Sequence, residues 1–466
     1  MAMKPIMRRL GAVAAFAVPC LLVVPMANAA PPVRIGSKLT AERQQPPTRA
    51  QCLEVFGVPC FGPADIRKAY GVNALIDAGF SGAGETIIIV DSYGSPTIQA
   101  DLMRFDSDYG LPAPPSLTVL APIGAIPPFD ITQPDQVNWA FEATLDVEWA
   151  HAMAPDAAIV LLVSPVDETE GVQGMPQFLE LEEYALDHHL GKIISQSWGA
   201  TENTLFFDAA GPDGPKVIAD YTRFYARAAR EHVTILASTG DSGSQNAATY
   251  SAALGAPTSF YTFPTVNFPA SSPLVTAVGG TALYLDASDN YLQETVWNDS
   301  TISAGAGGGG ISQIFRIPDY QRYSLRGETQ EQLGGYRGIP DVSYNADDYN
   351  SPILVYLSFL GPANAGYYLI GGTSEGSPQW AGIVADLNQY GGTHLGFLNP
   401  RLYALGGSGQ FAEFGHDITI GNNAYGGVPG YSATKGWDPA SGWGTPKLGS
   451  ILSRWWEFFL AGGDSD

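Results

Sequence analysis

Hydrophobic residues along this chain alternate between two spacings, and that alternation predicts strands and helices in turn. Continuous apolar runs rich in β-branched residues are typical of buried strands, whereas apolar positions three and four apart indicate helices. Strands that alternate with helices predict an α/β fold, with a mostly parallel central sheet and helices on both of its faces. The predicted strands are residues 86–90, 158–163, 192–198 and 233–237, and the predicted helices are residues 98–109, 139–153, 177–189 and 217–231.

A further apolar run, residues 367–370, leads into the glycine-rich sequence Gly371-Gly372-Thr373-Ser374-Glu375-Gly376, and a helix-like run follows from residue 379. A serine on a tight turn between a strand and a helix is typical of an enzymatic nucleophile. Its hydroxyl is a weak nucleophile unless a neighbouring base removes the proton. This turn therefore predicts that a base lies close to Ser374.

The usual base is histidine, but none of the six histidines lies in a protease signature that contains histidine. The chain offers two carboxylates instead, Glu142 and Asp146, which are four residues apart and therefore share one face of a helix. A serine that is served by carboxylates rather than by histidine indicates peptide hydrolysis in acid.

The composition is consistent with an acidic medium. The chain has 23 Lys and Arg against 46 Asp and Glu, which gives a formal net charge of −23. Protonation of carboxylates at low pH relieves the self-repulsion of such a chain. The same charge is also common in soluble secreted proteins. Because the sequence contains no basic patch, a nucleic-acid partner is not expected.

The first 29 residues have the pattern of a secretory signal peptide. Lys4, Arg8 and Arg9 precede the apolar run 10–26, and Ala27-Asn28-Ala29 has the small residues of a cleavage site. A retained membrane anchor is the alternative, but prolines interrupt the apolar run. We therefore expect residues 1–29 to be removed and the remaining chain to be secreted to the extracellular medium, with no contact with a membrane.

The cysteines predict one disulfide near the new N-terminus. Cys20 lies in the signal peptide, which leaves Cys52 and Cys60 as an even pair in an oxidising compartment. We expect their disulfide to close a short loop in the N-terminal segment, residues 30–64. No linker interrupts the rest of the chain, so residues 65–466 are predicted to form one catalytic domain.

Two local motifs favour other enzymes. Gly240-Asp241-Ser242-Gly243 matches the nucleophile sequence of trypsin-like proteases, although the histidine motif of those all-β enzymes is absent. Gly372-Thr373-Ser374-Glu375-Gly376 also fits the nucleophile elbow of α/β-hydrolases, with Asp386 and His416 following in the order of an esterase triad. An esterase that uses Ser374 therefore stays an alternative, and a catalytically inactive secreted binding protein is a third.

Several of these segments together resemble the sedolisins, the serine-carboxyl peptidases. The resemblance covers about residue 65 to the C-terminus, and its motifs occur in the expected order. It implies a subtilisin-like α/β fold in a single domain, acid-acting endopeptidase or tripeptidyl-peptidase activity on protein or peptide substrates, and one structural calcium ion. We expect the protein to be a monomer. The segments that carry the resemblance are residues 141–149, 238–243, 268–281, 307–321, 372–378 and 436–446.

Carried over position by position, the resemblance makes Ser374 the nucleophile, Glu142 the general base and Asp146 the residue that orients Glu142. Asp241 would stand in the oxyanion hole. These two acids need opposite states, because Glu142 must be ionised to accept a proton, whereas Asp241 must stay neutral to donate a hydrogen bond. Their ordinary pKa values are only ~4.3 and ~3.9, so the resemblance implies an acidic optimum.

Further positions follow from the same resemblance. Asp91, at the end of a predicted strand, and Trp198 are expected to extend the network of carboxyl groups around Glu142. Glu375 stands where the family tends to have a small residue, which predicts additional negative charge beside the nucleophile. The calcium ion would be bound by oxygen atoms, namely the carboxylates of Asp417 and Asp438 and the backbone carbonyls of Ile418, Gly436 and Thr434, the last where the family often has glycine.

Overall fold

The computed structural model describes residues 45–206, 213–302 and 305–460. The predicted signal peptide, residues 1–29, lies outside the described residues, as does the first part of the predicted N-terminal segment, residues 30–44. Among the helices in the described ranges, none is both long enough and apolar enough to cross a membrane.

The helices of the described residues include thirteen α-helices. They are α1 (Arg49–Phe56), α2 (Pro63–Tyr70), α3 (Asn73–Asp77), α4 (Ile98–Tyr109), α5 (Pro134–Met153), α6 (Met175–Asp187), α7 (Glu202–Phe206), α8 (Asp213–Arg230), α9 (Asp319–Ser324), α10 (Glu328–Leu333), α11 (Gly376–Gly391), α12 (Asn399–Gly407) and α13 (Ile451–Leu460). Short 3-10 helices occupy Pro362–Asn364, Thr373–Glu375 and Phe411–Glu413.

The strands of the described residues are mostly short, and the longest form the centre of the molecule. They are β1 (Thr86–Ser92), β2 (Leu117–Leu120), β3 (Ala158–Ser164), β4 (Ile193–Gln196), β5 (Ala200–Thr201), β6 (Thr234–Ser238), β7 (Ala247–Ser251), β8 (Ala256–Phe260), β9 (Asn267–Phe268), β10 (Thr276–Leu285), β11 (Tyr291–Val296), β12 (Gly310–Arg316), β13 (Tyr336–Ile339), β14 (Val342–Asn345), β15 (Ile353–Leu357), β16 (Gly366–Ile370), β17 (Gly415–His416) and β18 (Thr445–Pro446).

The central sheet confirms the predicted α/β architecture. Its strands lie in the order β11-β10-β6-β4-β1-β3-β2, and β14 pairs with β10 beside this path. Strand β11 is antiparallel to β10, and the other pairs are parallel. The carboxyl ends of parallel strands meet at one edge of a sheet, which is where α/β proteins build their sites.

The predicted coverage of both sheet faces is also confirmed. Side chains alternate across a strand, so Ile87 and Ile89 of β1 lie in one apolar cluster and Ile88 and Val90 lie in another. The first cluster contains α5 and α11, and the second contains α6 and α8. The sheet is therefore buried on both faces, which explains why its strands read as continuous apolar runs.

Most predicted boundaries agree with the structure to within a few residues, and residues 98–109 form α4 as predicted. The predicted strand 192–198 is shorter in the structure, because β4 ends at Gln196. Ser197 and Trp198 therefore lie beyond the sheet, on the loop at its carboxyl edge. Helix α5 begins earlier than predicted, at Pro134, since proline is well suited to the first turn of a helix.

The predicted disulfide is confirmed. Cys52 and Cys60 are bonded with an S–S distance of 2.09 Å, and both are buried. The next residue, Phe61, donates its N–H to the Pro352 carbonyl at 2.9 Å and accepts the Leu354 N–H at 3.0 Å. The disulfide loop is thus attached to β15, and β15 pairs with β16, the strand that leads to Ser374.

Candidate active site

The serine turn follows β16 directly, and its glycines explain its shape. A Cβ on Gly371 would lie 2.4 Å from the backbone nitrogen of Asp348, so only glycine permits this close approach. Gly372 has a φ of +134°, which residues with side chains rarely adopt. The 3-10 turn Thr373–Glu375 then carries Ser374, which is fully buried, to the start of α11.

Helix α11 brings this serine to the helix that carries the predicted carboxylates. Helices α5 and α11 pack against each other, and a Cβ on Gly382 would lie 2.5 Å from the Cβ of Met153. Glycine at this position lets the two helices approach closely. Glu142 and Asp146 lie midway along α5 and are fully buried. Residues more than two hundred positions apart in the sequence are therefore assembled by one helix pair.

Glu142 and Ser374 face each other in this buried site. Burial raises the pKa of Glu142 well above its ordinary value, and the charges of Asp146 and Asp91 raise it further, whereas the Ser374 hydroxyl acts in the opposite direction. Neither Glu142 oxygen nor the Ser374 hydroxyl forms a full hydrogen bond with another described residue. Catalytic hydrogen bonds are often long before substrate binds. The geometry therefore suits proton transfer from Ser374 to Glu142.

Two further acids belong to the same cluster. Asp146 accepts a hydrogen bond from the Ser197 hydroxyl at 3.0 Å, while burial and the charge of Asp91 raise the pKa of Asp146 well above its ordinary value. Burial also raises the pKa of Asp91 to about 8. Within the described ranges, no Lys or Arg forms an ion pair with Glu142, Asp146 or Asp91. The cluster therefore keeps protons at a pH where free carboxyl groups have lost theirs.

Because burial raises the pKa of Glu142 well above its ordinary value, the ordinary Glu pKa of ~4.3 does not describe the pH at which Glu142 ionises. Three neighbouring buried carboxyl groups titrate together, so the first proton lost belongs to the cluster rather than to one residue. Burial and mutual repulsion both oppose a second negative charge in this cluster, so its three carboxyl groups cannot all ionise in acid.

Asp241 lies on the other side of the serine turn, in the loop after β6. Its Oδ1 accepts the Thr373 N–H at 2.8 Å and the Thr373 hydroxyl at 2.8 Å. Its carbonyl accepts the Ala306 N–H at 3.0 Å, and the Gly308 N–H donates to the Gly240 carbonyl at 2.7 Å. The glycine run 305–310, which the sequence did not connect with any site, thus packs against the Asp241 loop.

Trp198 is buried on the loop after β4, where its ring lies 4.7 Å from that of Phe178 and 6.2 Å from that of Tyr221. Its described ring contacts are aromatic, and within the described residues no hydrogen bond joins its indole N–H to Asp91. Asp91, in contrast, lies near Glu142 and Asp146, since its charge raises the pKa of both groups.

The residues of the rival sites are not brought to Ser374. Asp386 is twelve positions further along α11, about 18 Å at the rise of an α-helix, where its charge interacts with Arg67 and Asp156. His416 stacks on Tyr291 with ring centroids 3.7 Å apart. No described histidine forms a hydrogen bond or ion pair with Ser374 or Glu142. Nothing in this geometry supports an esterase triad.

The sequence predicted that Glu375 adds negative charge beside the nucleophile, but its buried environment favours the neutral form of the side chain. Its side chain is fully buried, its Oε1 accepts the Asn345 amide N–H at 2.6 Å, and burial raises its pKa well above the ordinary value. The charges of Asp347 and Asp241 act in the same direction. Glu375 is therefore neutral in acid and serves as a hydrogen-bond partner beside the nucleophile.

Two residues next to the predicted site were missed by sequence reasoning. The Ser197 hydroxyl holds Asp146 and lies 3.3 Å from the Ser374 carbonyl, and Thr373 holds Asp241. Their positions after a strand and before the nucleophile were visible in the sequence. Their partners were not, because each pairs with a residue from a distant segment.

The predicted metal ligands come together in the C-terminal loops. Gly436 N–H donates to both Asp417 oxygens at 3.1 and 2.9 Å, and Thr434 N–H donates to Asp438 Oδ2 at 2.7 Å. Within the described part of the chain, no hydrogen bond ends on the carbonyl oxygens of Ile418, Thr434 or Gly436. Burial raises the pKa of Asp438 to about 6, and a cation would favour its ionised form. These oxygen donors fit a hard cation such as calcium.

Three aspartates outside the C-terminal loops form a second cluster of carboxyl groups. Oxygens of Asp299, Asp347 and Asp348 lie within 4.8 Å of one another. Asn350 donates to Asp299 Oδ1 at 3.0 Å and to Asp347 Oδ2 at 2.8 Å. One amide therefore bridges two of these acids, and the sequence did not predict this group.

The chain is similar to known proteins over much of its length. No protein-family model matches the chain. The chain is 34% identical to kumamolisin from Bacillus sp. (strain MN-32) over 392 residues, which cover 83% of this chain and 62% of kumamolisin. It is 30% identical to human tripeptidyl-peptidase 1 over 330 residues, which cover 67% of this chain and 51% of that protein. The chain thus spans between about half and three fifths of the length of these curated relatives.

A solved structure agrees with these relatives. It is that of Pseudomonas sedolisin, a serine-carboxyl proteinase, in complex with two molecules of pseudo-iodotyrostatin. The match has a TM-score of 0.66 at 28% identity and covers 84% of this chain and 98% of that one. The predicted subtilisin-like α/β fold is therefore confirmed.

Proposed function

Because the chain belongs to the sedolisin family of serine-carboxyl peptidases, we propose that it hydrolyses peptide bonds in acid, with Ser374 as nucleophile. Glu142 is the general base, Asp146 orients it, and Asp241 is the hydrogen-bond donor of the oxyanion hole. The observation that carries this proposal is the buried contact of α5 with the serine turn, which sets the Glu142 carboxyl facing the Ser374 hydroxyl.

The first half of the reaction forms an acyl-enzyme. Glu142 takes the Ser374 proton as Oγ attacks the peptide carbonyl, and the negative charge moves to the carbonyl oxygen. Neutral Asp241 donates a hydrogen bond to that oxygen. When the tetrahedral intermediate collapses, the C–N bond breaks and the proton held by Glu142 passes to the leaving amine.

Hydrolysis of the ester repeats these steps with water. Glu142 removes a proton from water as the water oxygen attacks the acyl carbon and forms a second tetrahedral intermediate. When this intermediate collapses, the ester bond between the acyl carbon and Ser374 Oγ breaks, Oγ takes the proton from Glu142, and the carboxylic acid product leaves. Asp146 and Asp91 support Glu142 because their protonated carboxyl groups leave the cluster with a single negative charge. The Ser197 hydroxyl holds Asp146 in place at 3.0 Å.

Substitution of the two reacting residues tests the proposal. Ser374→Ala and Glu142→Gln are each expected to lower kcat on an acid-denatured protein by at least about a thousandfold. The matched controls Ser242→Ala and His416→Gln should keep activity within about threefold, because neither residue touches the reacting groups. An active Ser374→Ala protein would contradict the proposal, and so would an inactive wild type that still binds peptides.

The substrate class is peptides and denatured proteins, cut either internally or three residues from the N-terminus. Two quenched peptides that differ only in an acetylated N-terminus distinguish these modes. An endopeptidase cleaves both, whereas a tripeptidyl-peptidase requires the free amine and leaves the acetylated peptide intact.

The C-terminal loops would hold one structural calcium ion through Asp417, Asp438 and the carbonyls of Ile418, Thr434 and Gly436. When bound, the ion would link the loop at residues 417–418 with the loop at residues 434–438 and would stabilise the folded state by mass action. A chelator should lower the Tm of the wild type but leave that of Asp438→Asn unchanged. Asp319→Asn, a substitution of an exposed aspartate, is the control that should respond like the wild type. Equal Tm values with and without chelator in the wild type would exclude this site.

The protein acts outside the cell after removal of residues 1–29. The Cys52–Cys60 disulfide supports this proposal, because such bonds persist in oxidising compartments. N-terminal sequencing of the exported protein should begin at Ala30, and a protein that retains Met1 in the cell would contradict it.

A further inference from the structure

Thr373, the residue before the nucleophile, makes three hydrogen bonds around Asp241. Its N–H and its hydroxyl both lie 2.8 Å from Asp241 Oδ1. Its hydroxyl oxygen in turn accepts the Gly240 N–H at 2.9 Å. The side chains of Thr373 and Asp241 are both buried. A single side chain therefore connects the serine turn with both residues of the Gly240-Asp241 pair.

The two backbone N–H groups fix the direction of their hydrogen bonds, because an N–H can only donate: that of Gly240 donates to the Thr373 hydroxyl oxygen, and that of Thr373 donates to Asp241 Oδ1. The Thr373 hydroxyl has one proton to donate, and its acceptor is Asp241 Oδ1 at 2.8 Å. Oδ1 therefore receives two donors. A protonated oxygen that carries its own hydrogen is a poor acceptor for two donors. When Asp241 is neutral, its proton thus belongs on Oδ2.

We infer that Thr373 is a positioning residue that keeps the acidic proton of Asp241 on Oδ2, so that this oxygen is the hydrogen-bond donor to the oxyanion. The inference rests on the proposed function, and it adds a residue that acts through Asp241 rather than on the substrate. Without Thr373, the proton could occupy either oxygen, and only one of them donates in the productive direction.

The surroundings of Asp241 determine how this arrangement responds to pH. Among the described residues, Glu142 from α5 and Glu375 from the serine turn interact electrostatically with Asp241, and a negative charge on either of them favours the neutral form of Asp241. The Thr373 hydroxyl acts in the opposite sense, because a hydrogen bond donated to a carboxylate favours the ionised form. Loss of this hydroxyl should therefore keep Asp241 neutral to a higher pH while it removes control over which oxygen is protonated.

The variant Thr373→Val separates these effects, because valine keeps the shape of threonine and the backbone N–H but lacks the hydroxyl. We expect kcat to fall about tenfold at the optimum, KM to change less than about threefold, and the alkaline limb of the rate profile to move to higher pH. Thr373→Ser keeps all three hydrogen bonds and should restore kcat to within about threefold of the wild type.

Tm measurements complete the test, since Thr373→Val also leaves the Gly240 N–H without its acceptor. A Thr373→Val protein with lower Tm, but with an unshifted alkaline limb and a wild-type kcat, would show a structural residue and overturn the inference. A failure of Thr373→Ser to restore kcat would also contradict it. A failure of the proposed function is distinct from either, because it appears as activity in Ser374→Ala.

Discussion

Glu375, directly after the nucleophile, shows how burial decides what a single acidic residue does. The sequence suggested an additional negative charge at this position. In the structure the side chain is fully buried, accepts the Asn345 amide and has a pKa well above the ordinary value. Its neutral form is therefore the one that the active site contains in acid.

Glu375→Gln should accordingly preserve activity in acid, since glutamine keeps the oxygen that accepts the Asn345 N–H. We expect kcat within about threefold of the wild type and an unchanged acidic optimum. Glu375→Ala is the contrasting variant, because it removes one of the two acceptors of the Asn345 amide group and leaves a cavity in place of the buried side chain, and it should lower both Tm and kcat. A shift of the optimum in Glu375→Gln would show that the residue acts as an anion.

For single residues, the sequence predicted the candidate reacting residues but not their hydrogen-bond partners. The spacing of Glu142 and Asp146 predicts one helix face, and the glycines around Ser374 predict a tight turn. The pairing of Ser197 with Asp146, and that of Thr373 with Asp241, depend on how separate segments cross in space. No local pattern contains that information.

Among the elements, the glycine run 305–310 has a role that its composition alone does not reveal. A Cβ on Gly308 would lie 2.2 Å from the Thr239 carbonyl oxygen, and one on Gly307 would lie 2.7 Å from the Gly280 carbonyl oxygen. The absence of side chains lets this run lie directly against the loop that carries Asp241. The run thereby holds the Asp241 loop in position through backbone hydrogen bonds.

Gly308→Ala should therefore displace the Asp241 loop. We expect kcat to fall at least about tenfold, with a smaller change in KM, because the added methyl group moves the oxyanion donor rather than the substrate-binding surface. The control is Gly449→Ala, where a Cβ meets no atom within 4 Å. Wild-type kcat in Gly308→Ala would contradict this role.

The central strands could be predicted because burial on both faces makes them continuous apolar runs. The run 367–370 was also recognised as a strand, but its partner was not. In the structure it is β16, which pairs in antiparallel fashion with β15 outside the central sheet. An apolar run does not indicate which other strand pairs with it. The pairing of β16 with β15, outside the alternating strands and helices of the central sheet, could therefore not be predicted.

Several carboxyl groups buried in the described part of the molecule form no ion pair with a basic residue there. Burial raises the pKa of Glu170 and of Glu182 to about 8, that of Glu202 to about 7 and that of Asp135 to about 6. Free carboxyl groups lose their protons near pH ~4. Between pH ~4 and these raised pKa values, the same carboxyl groups are ionised in the unfolded chain but still protonated in the folded protein.

The folded state therefore binds more protons than the unfolded state, and the free energy of unfolding must fall as pH rises. The stabilisation is complete below about pH 4 and is lost progressively up to about pH 8. We expect the Tm of Ser374→Ala, a variant protected from autolysis, to fall by several degrees across this range. The same protein with Glu182→Gln should show a smaller decrease. A Tm that is constant or rises over this range would contradict the explanation.

In the proposed mechanism two carboxyl groups do the work of histidine, Glu142 in its ionised form and Asp241 in its neutral form. The pH dependence of kcat/KM on a quenched peptide tests this most directly, because a histidine base loses activity as acid protonates it. We predict a maximum in acid, a decline toward neutrality as Asp241 ionises, and no activity in Ser374→Ala at any pH. A maximum above about pH 7 would contradict the mechanism.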